Sequence, residues 1–358
     1  MPYQVVANGI SYTVVDDCKT TLWAVITGQV TDEALGEFSV PGFAVELSRD
    51  DLGYRTTEKG LYAVTAYAER SFPQHSTVSY PVDFTLTAPG FDDFSTSVTI
   101  PAASPFPVSA LTVAMRRKPV VIQGRVVSAA TRAPIANATV LSADNPATPT
   151  VHATALRTPL SFAHALNAPL QTVTFNVNGS TTLQEPIAGG TRVINLLSRS
   201  GIGSGPGLSS VLRISNAAKT QVEYAFFVSM GPGPAGSPGL VYLRNSLNRS
   251  YPKLGSTVEL VTPNPNVPSV GILTDARAGD GVLLAPQLFT TSVAIDAPSP
   301  ALTEYQEAGA ITDADGYYSL AGIGRLQEIF LQAAGGANQT QGWYIDYGLP
   351  CNVVDFRL

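Results

Sequence analysis

Apolar and polar residues alternate with a period of two along much of this chain. Val82, Phe84 and Leu86 are separated by Asp83, Thr85 and Thr87, and this spacing predicts a strand with one face buried. The last residues repeat the pattern. Strands are also expected at 95–100, 110–115, 172–177, 191–197, 209–215, 221–230, 257–261, 282–288 and 352–358. The only helix predicted is a short one at 160–166, so the pattern indicates an all-β protein.

One order of sequence elements occurs twice. A strand centred on Gly28 reads VITGQV, and a strand centred on Gly124 reads VIQGRV. Each copy later contains a tight turn that leads into an aromatic strand: TTEKGLYAV ends at Val64, and TDADGYYSL ends at Leu320. Internal repetition of this kind predicts duplicated β-modules, the second of which is split by a long insertion.

The second copy resembles the carboxypeptidase regulatory-like domain in the residues that follow Gly124, in APIANATV (133–140) and in the turn that ends at Gly316. The first copy resembles that family less closely, because Lys59 replaces the aspartate of the turn. The resemblance implies a transthyretin-like β-sandwich of seven strands. It also implies a structural or binding role, since these modules are generally not catalytic.

We therefore predict two transthyretin/Ig-like β-sandwich domains in tandem, the second carrying a large inserted β-rich domain. The predicted boundaries are 1–20 for an N-terminal lead-in, 21–118 for the first sandwich, 119–143 plus 304–358 for the second, and 144–303 for the insertion. Because the insertion is large and lies between strands of its host sandwich, we expect it to carry the function specific to this protein.

Composition narrows the range of functions. The 358 residues include Gly 31 and Pro 27, which suits a chain rich in turns. Charged residues make up only 13%, about half of the usual fraction of roughly 25%. This indicates either a surface partly covered by other protein subunits or the Ser/Thr-rich, charge-poor composition that sandwich domains often have. The net charge of −6 argues against a nucleic-acid partner. No apolar run is long enough to predict a membrane span.

The N-terminal residues lack the basic and apolar regions of a secretory signal. We therefore expect synthesis in the cytoplasm, with release as part of a larger particle as one alternative. Cys18 and Cys351 lie near opposite ends of the chain, and sequence alone leaves open whether they form a disulfide.

No cofactor, metal centre or catalytic constellation is predicted. The GPGPAG run at 231–236 matches a dinucleotide fingerprint only formally, because its prolines prevent the helix that such a site requires. Asp313 and Asp315 resemble the start of a calcium loop, but the later ligand positions are absent, and a turn is the simpler interpretation. They remain a weak calcium candidate.

Three classes of function stay open. The first is a non-enzymatic structural subunit of a large assembly, such as a phage-tail-like or contractile injection particle. The second is a surface adhesin or glycan-binding module, for which the candidate contact residues are Tyr224, Tyr242, Trp343 and Tyr344. The third is a carbohydrate-active enzyme that uses a pair of carboxylates, although no segment of the sequence favours it.

Overall fold

The structure is a computed structural model that describes residues 3–7, 10–14, 22–33, 39–40, 42–110, 112–145, 150–202, 211–234, 236–266, 268–296 and 303–358. The chain divides into two units, Met1–Lys118 and Pro119–Leu358. In both units the described elements are almost all strands, which confirms the all-β prediction. Within the described residues no helix has the length and apolar character needed to span a membrane.

The described residues of the first unit form ten strands and one short helix. They are β1 (Tyr3–Ala7), β2 (Ile10–Val14), β3 (Leu22–Asp32), β4 (Ala44–Leu47), β5 (Leu52–Thr56), β6 (Leu61–Tyr67), α1 (Ala68–Ser71), β7 (Tyr80–Thr87), β8 (Phe94–Ile100), β9 (Val108–Ser109) and β10 (Val113–Met115). One sheet has the order β10-β3-β6-β5, with β9 also on β3, and the other has the order β4-β7-β8. Alternating apolar residues of both sheets form one buried core, which makes this unit a sandwich.

In the second unit, the residues with a described structure form nineteen strands and a 3-10 turn at Ser200–Ile202. The strands are β11 (Val120–Val127), β12 (Thr139–Ser142), β13 (His152–Ala155), β14 (Pro169–Thr182), β15 (Val193–Leu196), β16 (Val211–Ser215), β17 (Val222–Met230), β18 (Gly239–Leu243), β19 (Thr257–Pro265), β20 (Val270–Gly271), β21 (Val282–Ala285), β22 (Val293–Asp296), β23 (Thr303–Gln306), β24 (Ala310–Ile311), β25 (Tyr317–Ile323), β26 (Glu328–Ala334), β27 (Asn338–Tyr344), β28 (Cys351–Val353) and β29 (Phe356–Arg357).

Strands from both ends of the second unit form its sandwich, and most of their pairings match those of the first. The differences are that β5 pairs with β6, whereas no described strand has that place beside β25, and that β24 pairs with β12. β11 pairs antiparallel with β25 and parallel with β28 and β29, as β3 does with β6, β9 and β10. The facing sheet contains β12-β26-β27, which corresponds to β4-β7-β8. The core of this second sandwich also includes Ala155 and Val282. Residues from within 144–303 therefore help to bury the sheets that carry them.

Both sandwiches have a glycine opposite a tyrosine at the centre of the first strand. Gly28 lies opposite Tyr62, and Gly124 lies opposite Tyr318. A Cβ added at Gly124 would approach the carbonyl oxygen of Val354 to 1.8 Å, and one at Gly28 would meet the hydroxyl oxygen of Tyr62 at 2.5 Å and its ring at 2.6 Å. Only glycine leaves room for the tyrosine and the neighbouring backbone.

The edge formed by the last strands is held by side chains of β27. The Gln341 Nε2 donates to the carbonyl oxygen of Asp355 at 3.1 Å, and the Gln339 Oε1 accepts from the Arg357 N–H at 2.8 Å. These bonds join the edge of one sheet to the edge of the other.

Most of the other described strands of the second unit form one long sheet with the order β15-β18-β17-β16-β19-β14-β22-β23, with β20 also on β14. β13 and β21 form a separate two-stranded sheet. Leu183, directly after β14, pairs with Leu196 of β15. The part of the sheet from β15 to β14 therefore closes on itself, around a core that includes Leu212, Phe227 and Val241. We call this closed part the guest sheet.

The predicted helix at 160–166 is wrong. This segment consists of bends and a single bridge between His164 and Ala276. Its residues are fixed by hydrogen bonds to other segments, and Leu160 is buried. Hydrogen bonds to distant segments therefore fix this stretch without a helix.

Candidate functional site: two exposed surfaces of the second unit

An exposed apolar surface lies on the β15–β18–β17 side of the guest sheet. Its five large side chains, each 40–50% exposed, are Val193, Leu197, Val228, Leu240 and Tyr242. Val193 is the cross-strand partner of Tyr242, and Leu240 lies two residues along the same strand. Neighbouring side chains on one face of a sheet form a continuous surface. We call this set the guest patch.

The sequence analysis identified only one member of the guest patch. Tyr242 was a predicted contact residue, but Val193, Leu197, Val228 and Leu240 were not. Alternation along β15 and β18 shows that one face differs from the other, but it does not show which face the protein covers.

Tyr224, another predicted contact residue, packs against other side chains within the protein. Its ring stacks on Phe175 with a centroid separation of 4.6 Å and meets Tyr305 edge-on. Its hydroxyl donates a hydrogen bond to a carboxylate oxygen of Glu307. Burial, followed by the charge of Glu307, raises the pKa of the Tyr224 hydroxyl above its ordinary value. Its ring and its hydroxyl are both engaged within the fold.

Trp343 and Tyr344 are adjacent in sequence but have different surroundings. The Trp343 indole N–H donates to Asn352 Oδ1 at 3.3 Å, and Asn352 is buried. This bond adds to the contacts between β27 and the last strands. Tyr344 is 69% exposed and lies outside both surfaces described here.

The weak calcium candidate is a turn in the structure. Asp313 Oδ1 accepts the backbone N–H groups of Asp315 and Tyr317, at 3.0 and 2.9 Å. Gly316 completes the turn with a φ of 78°. Among the described residues, no group of three or more His, Cys, Asp or Glu side chains is placed to hold a metal ion.

The glycine-rich run at 231–236 is held by an arginine. Arg199 is buried, and its guanidinium donates to the Gly231 carbonyl oxygen at 2.6 Å and to Ser237 Oγ at 2.7 Å. Both terminal nitrogens of this guanidinium are therefore engaged in bracing the loop. Residues 203–210, which include much of the second glycine-rich run, lie outside the described residues.

Two buried carboxylates that sequence reasoning missed hold loops in place. Glu304 accepts the backbone N–H groups of Ser161 and Phe162 at 2.6 and 3.2 Å, and His164 Nε2 lies 2.9 Å from Oε2. Carboxylates occupied in this way position the backbone and are poorly placed to react.

Glu223 holds the loop at 248–251 in the same manner. It accepts the backbone N–H groups of Asn248 and Arg249 at 2.6 and 3.0 Å, and the Tyr251 hydroxyl at 3.0 Å. Burial raises the pKa of the Glu223 carboxyl, and these hydrogen bonds oppose that rise. The loop brings the guanidinium of Arg249 towards the second sandwich.

A polar groove lies between the outer face of the second sandwich and this loop. It has a volume of about 570 Å³. Its floor is the outward face of β11 and β25, and its wall comes from the turn before β17 and from the loop at 248–251. The lining side chains include Gln123, Arg125, Tyr317, Ser319, Gln221 and Arg249. We call this feature the sandwich groove.

The thiol of Cys351 is free in the structure. Cys18 lies outside the described residues, so the question of a bridge stays where the sequence left it.

Comparison with known proteins identifies no family. No protein-family model matches the chain, and no curated protein does. Two crystal structures of BcpA, the major pilin subunit of Bacillus cereus, are each 8% identical and cover 94% of this chain and 99% of their own. Their TM-scores are 0.21, for a variant, and 0.20. Similarity at this level carries no argument about fold or function.

Proposed function

We propose that this protein is a non-enzymatic structural subunit of a larger protein assembly, and that the guest patch is a contact between subunits. The observation that carries the proposal is the concentration of five large apolar side chains on one side of the guest sheet. Apolar surfaces of this kind mark sites of protein association. Their removal from water contributes about 25 cal/mol per Å².

The two buried carboxylates hold loops in place, which supports a role without catalysis. Glu223 and Glu304 are buried, and their carboxylate oxygens accept hydrogen bonds from backbone N–H groups and neighbouring side chains. A catalytic acid or base has to exchange a proton with a substrate. Carboxylates that position loops contribute to rigidity, which suits a subunit that keeps its shape within an assembly.

The class of assembly is proposed from architecture alone. Tandem sandwiches that carry an inserted domain suit a phage-tail-like or contractile injection particle, and the resemblance to carboxypeptidase regulatory-like modules fits such a role. Neighbouring genes for sheath, tube or baseplate proteins would support this class. Neighbouring genes for an export system or a polysaccharide hydrolase would contradict it.

The patch is tested through self-association of the full chain. We expect the apparent mass in sedimentation and light scattering to rise with protein concentration. Replacing Leu240 and Tyr242 together with lysine should abolish that rise, because two charges would have to be buried in the contact. Leu254→Lys is the matched control, since Leu254 is 85% exposed and lies outside the patch.

Two outcomes would reject the patch as a contact between copies. One is a parent chain that stays monomeric at every accessible concentration. The other is a double variant that associates as strongly as Leu254→Lys. Circular dichroism of each variant should match the parent, because the replaced side chains lie on the surface.

A further inference from the structure

We propose that the sandwich groove binds a short, uncharged oligosaccharide. The groove is distinct from the guest patch, and none of the predicted contact residues lines it. Its volume lies within the range of roughly 300–1,000 Å³ that is usual for small-molecule sites. The argument rests on which polar groups face it, on their charge balance, and on a comparison with the first sandwich.

Several polar side chains that line the sandwich groove are available to bond a ligand. In the part of the chain that the structure describes, the side-chain amides of Gln123 and Gln221 and the hydroxyl of Ser319 line the groove and make no hydrogen bond to another protein group. An amide offers donors and an acceptor together, and a hydroxyl does the same. A ligand that both donates and accepts, as sugar hydroxyls do, would satisfy them.

The charges of the lining balance. Arg125 and Arg249 are offset by Asp313 and Asp355. Asp313 uses one carboxylate oxygen in its turn, and Asp355 uses one to accept the Arg125 backbone N–H at 2.8 Å. A phosphate site would need an excess of positive charge, and a calcium site would need several oxygen ligands on one ion. Balanced charge favours an uncharged polar ligand.

Tyr317 gives the groove an aromatic surface. Its side chain is 54% exposed, and the Arg125 guanidinium lies over the ring at 5.1 Å from the centroid. This cation–π contact fixes the orientation of the ring. A fixed aromatic ring with a polar rim can pack against the C–H face of a sugar, while the rim bonds the hydroxyls.

The first sandwich shows that the fold does not require this lining. Gln123 and Ser319 are cross-strand partners, as are Arg125 and Tyr317. The corresponding pairs in the first sandwich, placed around Gly28 as these are around Gly124, are Thr27 with Ala63 and Gln29 with Leu61. The strand opposite the glycine thus carries a serine and a tyrosine in the sandwich that has the groove, where the first sandwich has the apolar Ala63 and Leu61. Both sandwiches carry polar residues beside the glycine itself.

The test is calorimetric titration of the full chain with maltotriose, cellotriose, mannotriose and chitotriose. We expect at least one of them to bind with a Kd between about 10 μM and 1 mM, a range typical of weak specific sites. Gln123→Ala and Tyr317→Ala should each weaken that binding at least tenfold. Ser319→Trp, which fills the groove from the same face, should abolish it. Tyr344→Ala is the matched control and should bind like the parent.

Three results would overturn the proposal. The first is the absence of heat for all four sugars. The second is binding that survives Tyr317→Ala and Ser319→Trp, which would place the sugar elsewhere. The third is competition by inorganic phosphate at equal concentration, which would make the groove an anion site. Thermal unfolding of each variant shows whether it is folded, and Gln123, Tyr317 and Ser319 are all exposed.

Discussion

A glycine opposite a tyrosine is the smallest unit of this structure that repeats. Gly124 allows the backbone of Val354 to approach β11 and lets the Tyr318 ring cover the space left by the missing side chain. The Tyr318 hydroxyl donates to the carbonyl oxygen of Val354 at 2.7 Å, so the buried ring has its polar partner. Burial also raises the pKa of this hydroxyl above its ordinary value. The glycine, the ring and the last strand therefore depend on one another.

Gly124→Ala should destabilise the second unit by about 3 kcal/mol, because the new methyl group overlaps a backbone carbonyl that cannot rotate away. The measurement is the urea midpoint of the unfolding transition. Gly231→Ala is the matched control, since a Cβ there meets its nearest atom at an ordinary 3.5 Å. Equal midpoints for the two variants would show that β11 and the last strand can separate without cost.

At the scale of elements, one carboxylate decides where a loop lies. Glu223 belongs to β17, and its hydrogen bonds place the loop at 248–251 beside the second sandwich. Burial raises the pKa of Glu223 in the folded protein, so the folded state binds this proton more tightly than the unfolded chain does. By linkage, the contribution of Glu223 to stability falls as pH rises from the ordinary pKa of a glutamate to the raised value.

Glu223→Gln should therefore flatten the dependence of stability on pH. The parent should lose more free energy of unfolding than the variant as pH rises from about 4, the ordinary pKa of a glutamate, to neutrality. The variant should also be less stable by about 1–3 kcal/mol throughout, because the amide nitrogen cannot accept a backbone N–H. Urea titrations at a series of pH values provide both quantities. Parallel curves for the two proteins would contradict the assignment.

The sequence predicted strands better than it predicted surfaces. Alternation placed the strand that ends at Met230 correctly, yet it could not show that Tyr224 is covered by Phe175 and Tyr305. The covering residues lie 49 and 81 positions away in the chain, on β14 and β23. Exposure depends on which distant strand packs on a face, and periodicity within one strand holds no information about that.

The same limit explains why the sandwich groove was missed. Gln123 and Gln221 come together because the long insertion returns to the strand that precedes it. Neither residue belongs to a recognisable motif, and their separation along the chain is large. In contrast, the repeat could be recognised from the sequence alone, because its glycine strand, turn and aromatic strand follow in the same order in both copies.

At the scale of the whole molecule, the two units have separate buried cores. The core of the first contains Val25, Phe84 and Met115, and the core of the second sandwich contains Ile122, Leu320 and Phe356. Each core draws on both sheets of its own sandwich. Stability in each unit therefore has its own source.

Residues 1–118 and 119–358, produced as separate chains, should each fold. We expect each to show a cooperative thermal transition and dispersed amide signals in NMR spectra, because neither core loses a member in the cut. A cut at 303 is the matched control. It should prevent folding of the 119–303 piece, which lacks β25 and β26. An unfolded 119–358 chain would show that its core is insufficient alone.

In both sandwiches the first strand lies parallel to the last ones: β3 beside β9 and β10, and β11 beside β28 and β29. Tension applied to the two ends of such a module would slide these strands along each other. The hydrogen bonds between them would then share the load at the same moment, whereas strands peeled apart would give way bond by bond. Mechanical toughness along the direction of the chain follows from this arrangement.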